Sequence, residues 1–394
     1  MIFNALIIAY LFLGGVGAGL LVVLSLFELS CLRHQTVLQH LAAVKLSAAT
    51  NQQPRASRPV TANQQARTTR PVTANQQART TQPITTSKRA VQPITTSERA
   101  RLIRPITRIW QKLSQNSSRS VTKTFLEIPD GFLLRCWLCC MAILGFAAIC
   151  LLFDLGRTDR VLILFTSPSL SILSIGTYSL LIALCVSTSF VVLRLFKTSF
   201  TFKMIVLPQI CLGIISGLTT AIYTGLLLQG FASILFYNNP MLPVLFALSA
   251  LSTGSACVFL NIALTNSRRS LLWLAQQLAR IDVLLYIIEI LVLAIYLVLA
   301  YLDAKTTSTA MAFLTGDLSG IFWIGLVGCG MLIPLVLELC LSGNICLFSN
   351  KYLTQLLWIA LFALIGGFIL RYCIVSAASF DLTQMPFMVY HTMS

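Results

Sequence analysis

Five ionisable side chains lie inside long apolar runs, where charge is costly and by default marks a pathway or a site. Four are acids, Glu28, Asp282, Glu289 and Glu338, and the fifth is Arg371. Asp282 and Glu289 are seven residues apart, so a helix places both on roughly one face. A file of carboxyl groups at such spacing could carry protons inward, and the candidate proton path is Glu28, Asp282, Glu289 and Glu338. The alternative is hydrogen bonding between spans, with Glu28 and Asp282 serving as anchors near the boundary. A second group, Asn4, Tyr10, Asp154, Arg157, Tyr223, Thr224 and Arg371, is expected at similar depth toward the other end of the runs. Amide and phenol groups can hydrogen-bond a carbonyl or hydroxyl in a mostly apolar cleft, which is what a quinone headgroup requires.

The elements that must position these residues follow from composition. The 394 residues are 57% hydrophobic and 10% charged, whereas soluble domains carry about a quarter charged residues. Runs of 18 or more apolar residues recur, each long enough to cross a hydrocarbon layer of about 30 Å. The short alternating segments of a β-barrel are missing. The expected fold is all-α, a polytopic bundle of about eight transmembrane helices over 2–30, 132–153, 172–193, 204–228, 241–264, 281–302, 318–341 and 353–377. Four parts follow: a first helix in 1–31, a basic loop in 32–131, a seven-helix remainder in 132–377 and a tail in 378–394. Positive charge gathers in alternate loops, at Arg194, Lys197 and Lys203, at Arg268, Arg269 and Arg280, and at Lys351. The positive-inside rule makes those loops cytoplasmic and puts both termini outside.

The net charge of +16 belongs mainly to one loop. Sixteen of the 28 Lys and Arg residues fall between Arg33 and Lys123, against one acid, Glu98. RPVTANQQARTT at Arg58 recurs at Arg70 and then decays through Gln82, Gln92 and Arg104. A period of twelve with no apolar face cannot stack as a solenoid, and the composition predicts a disordered cytoplasmic linker. Its partners are anionic lipid headgroups rather than nucleic acid, because aromatic interleaving is missing. The three histidines, His34, His40 and His391, lie outside the spans, so paired His ligation of haem within the bilayer is excluded. Twelve cysteines are scattered without zinc or iron–sulfur spacing, and no metal ligands are assigned. The loop Phe231–Asn239 joins two spans without one charge. Its aromatics and amides predict a place in the membrane interface or under a partner protein. Asp154, Arg157, Asp159 and Arg160 either anchor the chain at headgroup level or form a polar rim beside a ligand pocket.

Several stretches resemble the NrfD/PsrC family of quinone-handling membrane subunits. They are YLFLGGVGAGL at Tyr10, LLFDLGRTDR at Leu151, SILSIGTYSLL at Ser171, YTGLLLQG at Tyr223, NNPMLPVLFALSALSTGSA at Asn238 and GGFILRYCIVSA at Gly366. The resemblance implies an eight-helix subunit of the bacterial cytoplasmic membrane with no haem or iron–sulfur cluster of its own. It implies an exchangeable menaquinone or ubiquinone near the outer face. A four-cluster iron–sulfur subunit would dock there, joined to a molybdopterin or multihaem catalytic subunit. On this reading Asn4 and Tyr223 contact the headgroup, with Tyr10, Thr224 and Arg371 beside them. Asp154 accepts protons, and Arg157 and Arg371 hold its charge. The first-span histidine of some members is missing, since Ile7 and Ile8 occupy that neighbourhood. Ile172 and Tyr178 stand where proline and tryptophan are usual. The rival expectations are a proton or ion transporter using Glu289 and Glu338, and a structural anchor whose partner binds the quinone.

Overall fold

In hydrocarbon every backbone N–H and C=O must be satisfied within the chain, so apolar runs of this length fold as helices. The computed structural model describes residues 5–51, 130–155, 172–196, 202–230, 234–265, 269–316, 318–343, 345 and 352–391. The helices are α1 Ala5–Asn51, α2 Asp130–Leu155, α3 Ile172–Leu195, α4 Phe202–Gln229 and α5 Met241–Leu264, followed by α6 Arg269–Leu302 and the short α7 Thr307–Leu314. A π-helix, Ile321–Leu332, runs into α8 Ile333–Ser342, and α9 is Tyr352–His391. No strand occurs among the described residues. Eight of these helical stretches are long and apolar enough to cross a membrane, from Leu6–Arg33 to Tyr352–Ala377. The chain divides into two units, 1–34 with 123–394, and 35–122. The repeat loop lies outside the described residues.

The fifth span is the axis of the bundle. It is 78% buried, against 28–61% for the other seven, and it packs on α2, α4, α6 and α9. Small residues let α1 come against it backbone to backbone. A Cβ at Gly19 would fall 1.7 Å from the Ala250 carbonyl oxygen, and one at Gly254 would fall 2.3 Å from the Gly19 carbonyl carbon. Close approach through small residues replaces the hydrophobic drive that a bilayer does not supply between helices. The π-helix and α9 meet in the same way, with a Cβ at Gly366 falling 2.3 Å from Gly330 Cα. Exposed leucines, isoleucines and phenylalanines such as Phe146, Phe153, Ile215 and Leu291 cover the outside of the bundle, as a lipid-facing surface requires.

Three local features add to the expectation. The loop before α5 sends two aromatics inward, while Leu235 and Asn238 stay exposed. Phe236 and Tyr237 are buried, Phe236 stacks on Phe313 with centroids 5.4 Å apart, and the Tyr237 hydroxyl donates to the carbonyls of Ile374 and Val375 at 3.1 and 3.2 Å. Tyr296 donates to the Phe236 carbonyl at 3.0 Å. The chain therefore covers these two aromatics with its own α6, α7 and α9. Helix α6 also begins twelve residues before the predicted span start at 281. Asp282 accordingly sits several turns inside the helix and is 1% exposed. The helices α1 and α9 run on to Asn51 and His391, past the limits that apolar sequence sets.

Candidate functional site

Tyr10 and Tyr223 come together although they are 213 positions apart. Tyr10 lies in the second turn of α1 and Tyr223 in the last two turns of α4. The two are 2% and 1% exposed, and their phenols are electrostatic neighbours. Neither hydroxyl closes a hydrogen bond of normal geometry, a costly state for a buried polar atom. A glycine makes room for the Tyr223 ring, and Gly14 lies in ordinary contact range of Tyr10. A Cβ at Gly176 would fall 2.0 Å from Tyr223 Cζ, so the ring lies flat against α3. A Cβ at Gly14 would touch Tyr10 Cε2 at 3.7 Å and Thr224 Cγ2 at 4.0 Å. Thr224 is buried beside them, its hydroxyl donating to the Ala221 carbonyl at 2.6 Å.

Arg371 reaches α1 from α9 at Leu11 and Gly15. Its guanidinium rests on Gly15, where a Cβ would fall 2.4 Å from one terminal nitrogen. Nε donates to the Leu11 carbonyl at 3.0 Å, and Nη1 donates to the Gly367 carbonyl at 2.8 Å and to Ser249 Oγ at 3.2 Å. Nη2 has no partner. The rings of Phe246 and Phe12 lie 5.4 and 5.9 Å from the guanidinium carbon. A fully buried arginine needs counter-charge and acceptors. The carbonyls supply the acceptors, and Glu289 supplies the charge across Ser249.

From Arg371 a polar file runs along α5 and α6. Ser249, Ser252 and Ser255 recur every three residues on one side of α5, facing Glu289 and Asp282 on α6. Ser252 Oγ donates to Glu289 Oε2 at 3.3 Å, and Ser255 Oγ donates to Asp282 Oδ2. Glu338 arrives from α8 beside Asp282, and the two carboxyls form a hydrogen-bonded pair. Tyr286, buried between the acids, interacts with all three. Asp282, Glu289 and Glu338 are 1%, 3% and 0% exposed. Seven helical residues separate Asp282 from Glu289, about 10 Å along the axis. Acids and hydroxyls thus line the α5–α6 contact from Ser249 to Asp282.

The structure thus joins Tyr10, Tyr223 and Thr224, links Arg371 to Glu289, and brings Asp282, Glu289 and Glu338 around Tyr286. Glu28 joins none of these groups. It pairs with Arg194 at the end of α3 and accepts from Trp137 Nε1 at 3.2 Å, while Trp137 stacks on Phe190 at 4.2 Å. That pairing ties α1, α2 and α3 together. Asn4 and Arg157 lie outside the described residues, and Asp154 is described only as part of the last turn of α2. Sequence reasoning missed Gly14, Gly15 and Gly176 as the floor of the site, and missed the serines. The Ser249, Ser252, Ser255 spacing was the one available signal. Among the described residues, no group of three His, Cys, Asp or Glu side chains is arranged to hold a metal ion.

Comparison with known proteins agrees with this architecture. The profile of the family described as "Polysulphide reductase, NrfD" matches residues 119–382. Protein NrfD of Escherichia coli is 33% identical over 118 residues, 29% of this chain and 37% of that protein. The C subunit of polysulfide reductase from Wolinella succinogenes is 32% identical over 157 residues, 39% of this chain and 48% of that protein. A protein NrfD homolog of Haemophilus influenzae is 29% identical over 157 residues, 39% of this chain and 47% of that protein. The matched stretches cover less than half the length of each relative. With two thirds of its residues inside the family profile and eight apolar helices, the chain belongs to the NrfD family and is a multi-pass integral membrane protein.

Proposed function

We propose that this chain is the membrane-anchor subunit of a respiratory oxidoreductase complex in the bacterial cytoplasmic membrane. It exchanges electrons between the quinone pool and a docked four-cluster iron–sulfur subunit, which connects to a molybdopterin or multihaem catalytic subunit. The observation that carries this reading is the pair of buried phenols, Tyr10 and Tyr223, whose hydroxyls face each other and have no other partner. Phenol donors with only each other in an apolar setting fit a carbonyl oxygen of menaquinone or ubiquinone, a carrier of two electrons and two protons. Beside them, Gly176 gives the Tyr223 ring its position. The unpartnered Nη2 of Arg371 favours negative charge close by. The Wolinella relative is by name one subunit of a polysulfide reductase, which supports a subunit role beside a catalytic partner.

In this reading the basic loops are cytoplasmic, the tyrosine end faces outward and both termini lie outside. Asn4 adds an amide contact to the headgroup, Asp154 takes protons at the rim, and Arg157 holds that carboxylate. A second reading, proton translocation, draws on the buried groups Asp282, Glu338, Glu289 and Ser249 that lead toward Arg371 in separate bonded pairs. The two readings join if the file supplies or removes protons for the quinone site. The test is Tyr223→Phe in membranes holding the whole complex. Quinol-dependent turnover should fall at least tenfold, while turnover with a water-soluble donor to the catalytic subunit stays unchanged. Equal quinol turnover in variant and wild type would refute the assignment.

A further inference from the structure

On the outside of the bundle, α3 and α4 leave between them a groove of about 810 Å³. Its wall on α3 recurs every three or four residues from Tyr178 to Ser189, and its wall on α4 does so from Ile205 to Leu212. Each helix therefore gives the groove one face. The α3 wall alone is eleven residues long, about 16 Å along the axis. Leu181, Ile182, Ile205 and Leu212 are 41–50% exposed, so the groove opens sideways onto lipid.

Three observations select the occupant. The amide within the groove is already engaged, since Gln209 Nε2 donates to Ser189 Oγ and to the Val186 carbonyl at 3.4 Å. An amide nitrogen has two hydrogens, so the wall keeps none of them for a polar ligand. Next, helices in a bilayer approach one another across small residues, as α1 and α5 do at Gly19 and Gly254. The rim of the groove carries branched Leu181, Ile182, Ile205 and Leu212 instead, which hold a second helix away and which a flexible chain can follow. Finally, one end of the groove is basic. Ile205 is the first residue of the fourth span, and the connection from Arg194 to Lys203 holds three cations, with Lys197 between them, and no acid. Glu28 answers Arg194. The two lysines have no acid in the connection to answer them, and basic segments at a bilayer surface attract anionic headgroups.

We propose that the α3–α4 groove is a docking surface for an anionic phospholipid of the leaflet beside the basic loops. An acyl chain lies along the groove from Ile205 toward Tyr178, and the phosphate stands at the Arg194–Lys203 connection. The apolar wall binds the tail of any phospholipid, and the charge of the connection chooses the headgroup. The groove shares no wall residue with the tyrosine pair or with the acids of α6 and α8, so this surface stands whatever those groups do.

The experiment uses the full chain in nanodiscs of phosphatidylcholine with a trace of phosphatidylglycerol carrying a diazirine on one acyl chain, and maps labelled peptides by mass spectrometry. Labelling should concentrate on residues 178–189 and 205–212, and plain phosphatidylglycerol should displace it. The same diazirine on a phosphatidylcholine tail should label those peptides far less. Lys197→Gln or Lys203→Gln should each lower the preference for phosphatidylglycerol about fivefold, and both together about 25-fold. Cys185→Trp, which fills the groove from a lipid-exposed position, should abolish labelling there. Labelling spread evenly over the lipid-facing spans would overturn the groove as a site, and equal labelling by the two headgroups would overturn the anionic lipid. An unlabelled groove would overturn lipid occupancy, with native mass spectrometry showing whether a second copy of the chain covers it. These wild-type results decide the proposal whether or not Cys185→Trp folds.

Discussion

The sharpest consequence of the site's geometry concerns a residue with no functional group. Replacing Gly176 with Ala puts a methyl group 2.0 Å from Tyr223 Cζ and 2.1 Å from Cε2. Carbon atoms rest at about 3.5 Å or more, so the ring must retreat by roughly 1.5 Å. The neighbouring atom is part of a stiff aromatic ring pressed into a filled core, and a small rotamer change cannot absorb that shift. A displacement of about 1 Å in a positioned group costs on the order of 100-fold in rate. Gly176→Ala should therefore cut quinol-dependent kcat/KM by about that factor, measured in membranes holding the whole complex. Gly145→Ala is the matched control, because nothing lies within 4 Å of a Cβ there, and it should leave turnover unchanged. Both variants should keep full turnover with a water-soluble donor, which confirms assembly. Equal quinol turnover in the Gly176 and Gly145 variants would refute the claim that the Tyr223 hydroxyl is held in place against α3.

Three further outcomes follow from the packing. Glu28→Ala leaves Arg194 in a half-buried site without its partner and should cost about 3 kcal/mol, while Glu28→Leu with Arg194→Leu should recover much of it. Thermal unfolding in detergent reads both. Gly19→Val places a branched side chain against the Ala250 carbonyl and should lower the Tm well beyond the effect of Gly131→Val, a position with open space around it. Tyr237→Phe removes a hydroxyl that donates to two α9 carbonyls. It should cost about 1 kcal/mol and loosen the loop before α5, seen as faster amide exchange over 234–239.

How far the sequence could be read depended on what each residue type reports. Charge in an apolar run is rare enough that Asp282, Glu289, Glu338 and Arg371 stood out at once, and the seven-residue spacing put the first two on one face. What spacing within one helix cannot give is the partner on another, so Glu338 beside Asp282 and Arg194 beside Glu28 had to come from the structure. The serines of α5 were passed over because hydroxyls in membrane helices commonly bond their own carbonyls, as Thr253 does to Ser249. Gly176 carries no side chain to signal that an aromatic ring lies on it. Hydropathy marks the thickness of the bilayer rather than the end of a helix, which is why α1 and α6 extend past the limits it set. The loop at Phe236 and Tyr237 has the composition of an interface, but composition does not say whether lipid, partner or the chain itself covers it.

The central claim is that Tyr10 and Tyr223 donate to the same small carbonyl compound. Infrared difference spectroscopy on the purified chain with a quinone carrying ¹³C at one carbonyl, and then at the other, tests it most directly. The account predicts a carbonyl band shifted below its free frequency in the wild type, and a return to the free frequency when Tyr10 and Tyr223 are both replaced by Phe. A band at the same position in wild type and double variant, whether shifted or not, would contradict it.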